Sequence, residues 1–281
     1  LLLYAVSLCV FSSVCCGGPT VATFLCVHGA FQGGWVWKQV ADQLLKQGHT
    51  VHRPTLCGCG YLYAASGLAC DYKDFLENKA GYLDTVSGCR NPAAASRPSY
   101  DLHTYIADMA NYLEIEELED IVLVGQSYSG MICCALLMQQ GHRIRQYIAV
   151  DAVIPQSKRS FVDTAGEQFA QMLGQHQLDE FLIRPWPVPV FGVDEQRAAW
   201  FQSRLRPFPK AGFTTAFPGQ FDPTIRPITH ITCLRTMSPF IRAMAVKAGE
   251  LGWPVHELDA GHCPMITCPE TLATLLSCIV Q

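Results

Sequence analysis

The stretch IVLVGQSYSGMICCALL, residues 121–137, decides how the chain is read. An apolar run stops at Gly125, a serine follows two residues later, and an apolar helix-like run begins at once. This is the local layout of a nucleophile elbow, in which a tight turn between a strand and a helix projects a serine hydroxyl. The fifth position of the usual G-x-S-x-G is Ser129, and glycine comes one residue late, at Gly130. Small residues are needed there so that strand and helix can approach. Gly125 and Ser129 both meet that need, so Ser127 is a candidate nucleophile. The plain alternative is a serine that caps the following helix.

A serine hydroxyl needs a base. VHELDAGHCPMI (255–266) supplies His262 on a glycine-flanked loop after a run that reads as the last strand. An oxyanion needs N–H donors, and CVHGAFQGG (26–34) offers a glycine-rich loop after an early strand. The backbone N–H groups of Ala30 and of Tyr128, the residue after the serine, are the expected donors. Three separated segments thus supply the nucleophile, base and N–H donors that acyl transfer needs, in an order that suits a doubly wound chain.

Working outward, short β-type runs alternate with helical patterns, which argues for an α/β fold with a mostly parallel sheet covered by helices. Strands are expected near 20–29, 50–55, 120–125, 144–150, 229–235 and 253–259. Helices are expected near 35–48, 100–118 (with Asp101 as N-cap), 128–140, 239–250 and 269–279. Two parts break the rhythm. Residues 56–99 read as a loop excursion with a short helix near 72–80. Residues 155–227 are rich in proline and aromatics, which rules out regular sheet and suits an inserted cap. The expected division is therefore 19–154 with 228–281 as core and 155–227 as cap.

At 281 residues the chain can bury a sizeable core; 49% apolar and 16% charged residues argue against disorder. The net charge of −4, with no basic block, argues against a nucleic-acid partner. Residues 1–18 read as the apolar core of a secretory leader, too short for the roughly 20 apolar residues of a membrane span. With no initiator Met and no basic segment before it, the chain is expected to start inside a longer protein. The secretory pathway is one expectation for its location and the cytoplasm the other. Of fourteen cysteines, Cys26, Cys133, Cys134 and Cys233 read as core residues. Cys57, Cys59, Cys70 and Cys89 punctuate the excursion, where disulfide staples would be useful; the pairing stays open.

HGAFQGGWVWKQVADQLLKQGHTV, LVGQSYSGM and LDAGHCPMI followed by PE together resemble the α/β-hydrolase superfamily. The likeness is to the small branch of plant methylesterases, hydroxynitrile lyases and related bacterial esterases. It covers most of residues 21–281 outside the excursion. It implies an α/β-hydrolase fold with a sheet of about six strands under an inserted helical cap. In the methylesterases the triad acid follows the penultimate strand, which here falls within CLRTMSPFI (233–241), a segment without Asp or Glu. Some α/β-hydrolases carry the acid after the strand that follows the elbow, and that position here is Asp151. The alternative is a strand-end Asp capping its own loop; Asp259 is too close to His262 in sequence to reach around the ring.

The lyases of the branch place Thr after the oxyanion-loop His and Lys after the catalytic one. Here those positions are Gly29 and Cys263, which disfavours lyase chemistry, and His28 reads as a structural turn residue. The expectation is a serine esterase with Ser127, His262 and Asp151, needing no metal or organic cofactor. A lyase-like enzyme and a slow or non-catalytic ligand receptor of the same fold are the alternatives. Phe31 and Trp186 are the expected pocket residues, with Trp200, Phe213 and Phe217 as further candidates for holding a small apolar ester. A homodimer is compatible with the sequence.

Overall fold

The computed structural model describes residues 20–59 and 100–280. The first strand, β1 (Thr23–Val27), leads through the HGAFQGG loop into α1 (Lys38–Lys46), whose Val40, Ala41 and Leu44 face inward. A short β2 (Thr50–His52) follows. Helix α2 (Leu102–Ile115) starts at Asp101, whose carboxylate accepts from Thr104 N at 2.8 Å in a reciprocal capping box.

Next come β3 (Ile121–Gln126), α3 (Ser129–Gln140) and β4 (Ile144–Val150). Every residue of β3 is buried, as expected for a strand covered by helices on both faces. From Ser129 to Leu137, α3 is buried all round.

The segment between β4 and the next sheet strand carries α4 (Phe161–Ala165), α5 (Glu167–Gln175), α6 (Glu195–Gln202) and α7 (Lys210–Thr214). It also holds a small antiparallel strand pair, β5 (Leu182–Ile183) with β6 (Phe208–Pro209), and a bridge from Gln177 to Ile183. The core resumes with β7 (Ile228–Cys233), α8 (Pro239–Glu250), β8 (Val255–Leu258), the short α9 (Pro264–Thr267) and α10 (Pro269–Ile279).

The main sheet has six parallel strands in the order β2-β1-β3-β4-β7-β8. Chain direction across the sheet reverses between β1 and β3, so the loops after these strands open a crevice at their carboxyl ends. Register does the rest. Gln126 pairs with Val150, so Ser127 and Asp151 are the next residues on adjacent strands. Cys233 pairs with Leu258, which brings the loops after β7 and β8 to the same edge.

The expected cysteine staple is not formed where it can be seen. Cys57 and Cys59 are free thiols, and Cys70 and Cys89 lie outside the described residues, as do the leader-like segment and the expected helix near 72–80. Cys26, Cys133, Cys134 and Cys233 are fully buried core residues. No helix among the described residues is long and apolar enough to cross a membrane.

Candidate active site

The turn after β3 forces Ser127 into the left-handed region, at φ 57°. That conformation is costly for a residue with a Cβ and is held here by hydrogen bonds. Ser127 O accepts from Gly130 N at 3.1 Å and from Val153 N at 3.0 Å. Ser129 fills the place of the usual glycine usefully: its hydroxyl lies 3.0 Å from Val27 O and 2.9 Å from Gln126 O. Glycine at 130 is required by contact, because a Cβ there would stand 2.0 Å from Val153 O.

Ser127 Oγ lies 2.8 Å from His262 Nε2, and His262 Nδ1 lies 2.8 Å from Asp151 Oδ2. Asp151 is completely buried and sits at φ 48°. Its Oδ1 accepts from Cys233 N at 3.0 Å, and its Oδ2 also accepts the Thr236 hydroxyl. A buried carboxylate is tolerable only when its lone pairs are met in this way. Asp259, by contrast, is exposed and pairs with Arg235 at 3.1 Å.

The N–H groups of Ala30 and Tyr128 donate no hydrogen bond to any described residue, which leaves both available. Phe31, next to Ala30, is at φ 68°. Six non-glycine residues among those described have positive φ, and Phe31, Ser127 and Asp151 are three of them. Strained backbone of this kind concentrates at functional sites.

Several supporting residues carried no signal in the elbow pattern. Gln126 is buried at the end of β3, and its Nε2 donates to His262 O at 2.8 Å, holding the histidine loop. The only sequence hint was an amide at the end of an apolar strand. Gly261 packs against Gly192, where a Cβ on either would come within 2.7 Å of the other's Cα. Cys263 N donates to Phe191 O and Arg206 N to Phe31 O, both at 3.0 Å, so the inserted segment is tied to both site loops.

His28 has a structural part: Nε2 accepts from Leu56 N at 3.1 Å, and Nδ1 donates to Gly29 O at 2.8 Å. Burial pushes its pKa down to about 4. The two positions where the lyases carry Thr and Lys offer nothing to a cyanohydrin. A Cβ on Gly29 would lie 2.5 Å from Gln126 Oε1, and the Cys263 thiol is buried against the Gln32 amide at 3.3 Å.

A cavity of about 450 Å³ opens onto Ser127 and His262. Phe31, Trp186 and Phe213 line it together with Phe161 and Phe169. Trp186 sits edge-on to Phe31, ring centres 4.8 Å apart. Exposed Gln168, Gln171 and Gln175 of α5 and exposed Met237 form its rim. Apart from His262, no ionisable side chain other than the Tyr128 phenol lines it among the described residues. That phenol is engaged, donating to Gly212 O at 2.6 Å. Two expected pocket residues lie elsewhere. Trp200 is exposed, edge-on to Trp35 and under the Arg204 guanidinium; Phe217 is buried beside Phe221. Both come from the proline-rich segment, where the pattern gives no facing.

These features define an α/β-hydrolase. Residues 24–275 match the alpha/beta hydrolase family, and the chain belongs to it. It is 28% identical over 273 residues to a carbendazim hydrolyzing esterase from Nocardioides sp. (strain SG-4G), covering 92% of this chain and all of that one. Its fold is similar to that of an extracellular α/β-hydrolase from a Paenibacillus species, with a TM-score of 0.70 and 18% identity over 91% of this chain and 97% of the other. It is also similar to a pyrethroid hydrolase from Sphingobium faniae, with a TM-score of 0.65 and 19% identity over 92% and 97%. A methylesterase from Arabidopsis shares the fold as well, with a TM-score of 0.65 and 17% identity over 92% and 99%.

Proposed function

We propose that the protein is a serine hydrolase that cleaves a small, uncharged, mainly apolar carboxylic ester through an acyl-enzyme. The observation that carries this is the unbroken chain Asp151–His262–Ser127, two contacts of 2.8 Å ending at the cavity. His262 Nε2 takes the Ser127 proton as Oγ attacks the ester carbonyl. Asp151 holds the proton-bearing Nδ1 and stabilises the imidazolium that forms. The Ala30 and Tyr128 N–H groups donate to the developing oxyanion, helped by the amino end of α3. Collapse of the tetrahedral intermediate expels the alcohol with the proton from His262. Water, activated by the same imidazole, then releases the acid and restores Ser127. Acyl transfer of this kind needs no metal or organic cofactor.

The aromatic wall favours an apolar acyl or alcohol part, and the absence of a counter-ion among the described lining residues disfavours a charged one. The similarity to an esterase across the whole of that relative supports the same reaction class.

Fluorophosphonate labelling read by intact mass tests the reading. One adduct on wild type and none on Ser127→Ala is expected, with turnover of p-nitrophenyl butyrate falling by at least about 10³-fold in the variant. An adduct that persists in Ser127→Ala would remove Ser127 from the mechanism. Neutral p-nitrophenyl esters should outrun p-nitrophenyl hemisuccinate at equal concentration; equal rates would refute the uncharged cavity as the selector.

A further inference from the structure

Asp151 does not hold its own geometry. Its backbone leaves β4 in the left-handed region, so the strand alone does not set where the carboxylate points. Both side-chain oxygens are instead met from the end of β7 and the loop after it, Oδ1 by Cys233 N and Oδ2 by Thr236 Oγ1. The oxygen that takes the threonine hydroxyl is the one that takes His262 Nδ1. The loop is itself pinned: Leu234 N donates to Leu258 O at 3.0 Å, Arg235 N to Ala260 O at 2.9 Å, and Thr236 N to Cys233 O at 3.1 Å. The first two of these acceptors belong to β8 and the loop that carries His262.

We propose that Thr236 is a positioning residue, whose hydroxyl holds Asp151 Oδ2 in line with His262 Nδ1. This rests on the serine-hydrolase reading. Thr236 and Asp151 are both buried, so no solvent stands ready to replace the hydroxyl. The β-branched side chain has few χ1 states and presents the hydroxyl from a fixed direction. Without it, Oδ2 keeps a single donor, and the carboxylate is free to turn about χ2 away from the imidazole. A misplacement of about 1 Å in a catalytic group costs on the order of 10²-fold. The bland reading is that Thr236 merely satisfies a buried carboxylate, which would cost stability and leave the chemistry alone.

Labelling kinetics separate the two. The rate of fluorophosphonate adduct formation is measured against reagent concentration for wild type, Thr236→Val and Thr236→Ser, with thermal melting alongside. Thr236→Val keeps the shape without the hydroxyl. Its limiting rate is expected to fall about 10- to 100-fold, with the half-saturating concentration unchanged within about twofold. Thr236→Ser restores the hydroxyl and is expected to stay within about threefold of wild type. A folded Thr236→Val that labels at the wild-type limiting rate overturns the proposal. So does a Thr236→Ser that is as slow as the valine variant. Should Thr236→Val lack a cooperative melt, Thr236→Ala is read by the same criteria. A wild type that takes no label would overturn the hydrolase reading and this inference together.

Discussion

At the scale of single residues, the site is shaped by contacts that small side chains permit. Gly130 comes one place later than the usual pattern, yet the structure explains it better than any pattern does. The first turn of α3 runs so close to the loop after β4 that a methyl group at 130 would overlap Val153 O at 2.0 Å. Backbone cannot give way there, because Val153 N is already bonded to Ser127 O. Gly130→Ala is therefore expected to destabilise the fold by about 1–3 kcal/mol, seen as a lower urea midpoint with an unchanged slope. A wild-type midpoint would mean that the loop yields freely. Ser127, His262, Ala30 and Tyr128 were legible as candidates because each belongs to a local motif. Gln126 and Thr236 were not, since each acts on a partner more than 80 residues away.

At the scale of elements, the parallel register of β3 and β4 makes neighbours of residues far apart in sequence. Ser127 and Asp151 follow paired residues, Gln126 and Val150, so one strand end offers the hydroxyl and the next the carboxylate. The loop after β7 reaches the same carboxylate from the other side. In the methylesterases the acid belongs to that loop; in this chain the loop contributes a threonine hydroxyl to the acid instead, beside the N–H of the last β7 residue. The loop is thus one carboxylate oxygen away from the imidazole. Asp151→Asn is expected to lower ester turnover by about 10⁴-fold. Asp151→Asn with Thr236→Asp should regain at least about tenfold of that loss. Turnover no better than Asp151→Asn alone would show that a carboxylate on the loop cannot align with Nδ1.

At the scale of the whole molecule, a parallel core brings Ser127, Asp151 and His262 to one edge, and the segment between β4 and β7 lines the cavity there. The insertion is tied down at both site loops, by Phe191 O to Cys263 N and by Phe31 O to Arg206 N. The core also buries two neutral histidines, and this bears on acid stability. Burial lowers the pKa of His28 to about 4, and that of His230 to about 4 despite the opposing pull of Asp151. Both His230 ring nitrogens lack partners among the described residues. The unfolded chain takes up these protons near the ordinary histidine pKa of 6.5, whereas the folded chain does so only near 4. Unfolding therefore binds protons in between, and stability falls as pH drops through that window. The urea midpoint is expected to decline from about pH 7 to about pH 4, and His230→Leu should make the decline shallower. An equally steep decline in His230→Leu would place the proton uptake elsewhere.

The sequence by itself determined the alternation of strands and helices, the strand–serine–helix turn and the late histidine loop. These are local properties, written in hydrophobic period, glycine placement and residue type over a dozen positions at a time. The capping of α2 by Asp101 was equally legible, because cap and partner lie three residues apart. Only the tertiary structure decided that Asp151 meets His262, that Thr236 meets Asp151, and which aromatics face the cavity. Phe213 turns toward it while Trp200 and Phe217 turn away, though all three come from the same proline-rich stretch. Where proline removes regular period, the side-chain direction is set by packing against distant elements. Where two strands pair across a crossover, register alone chooses which side chains meet.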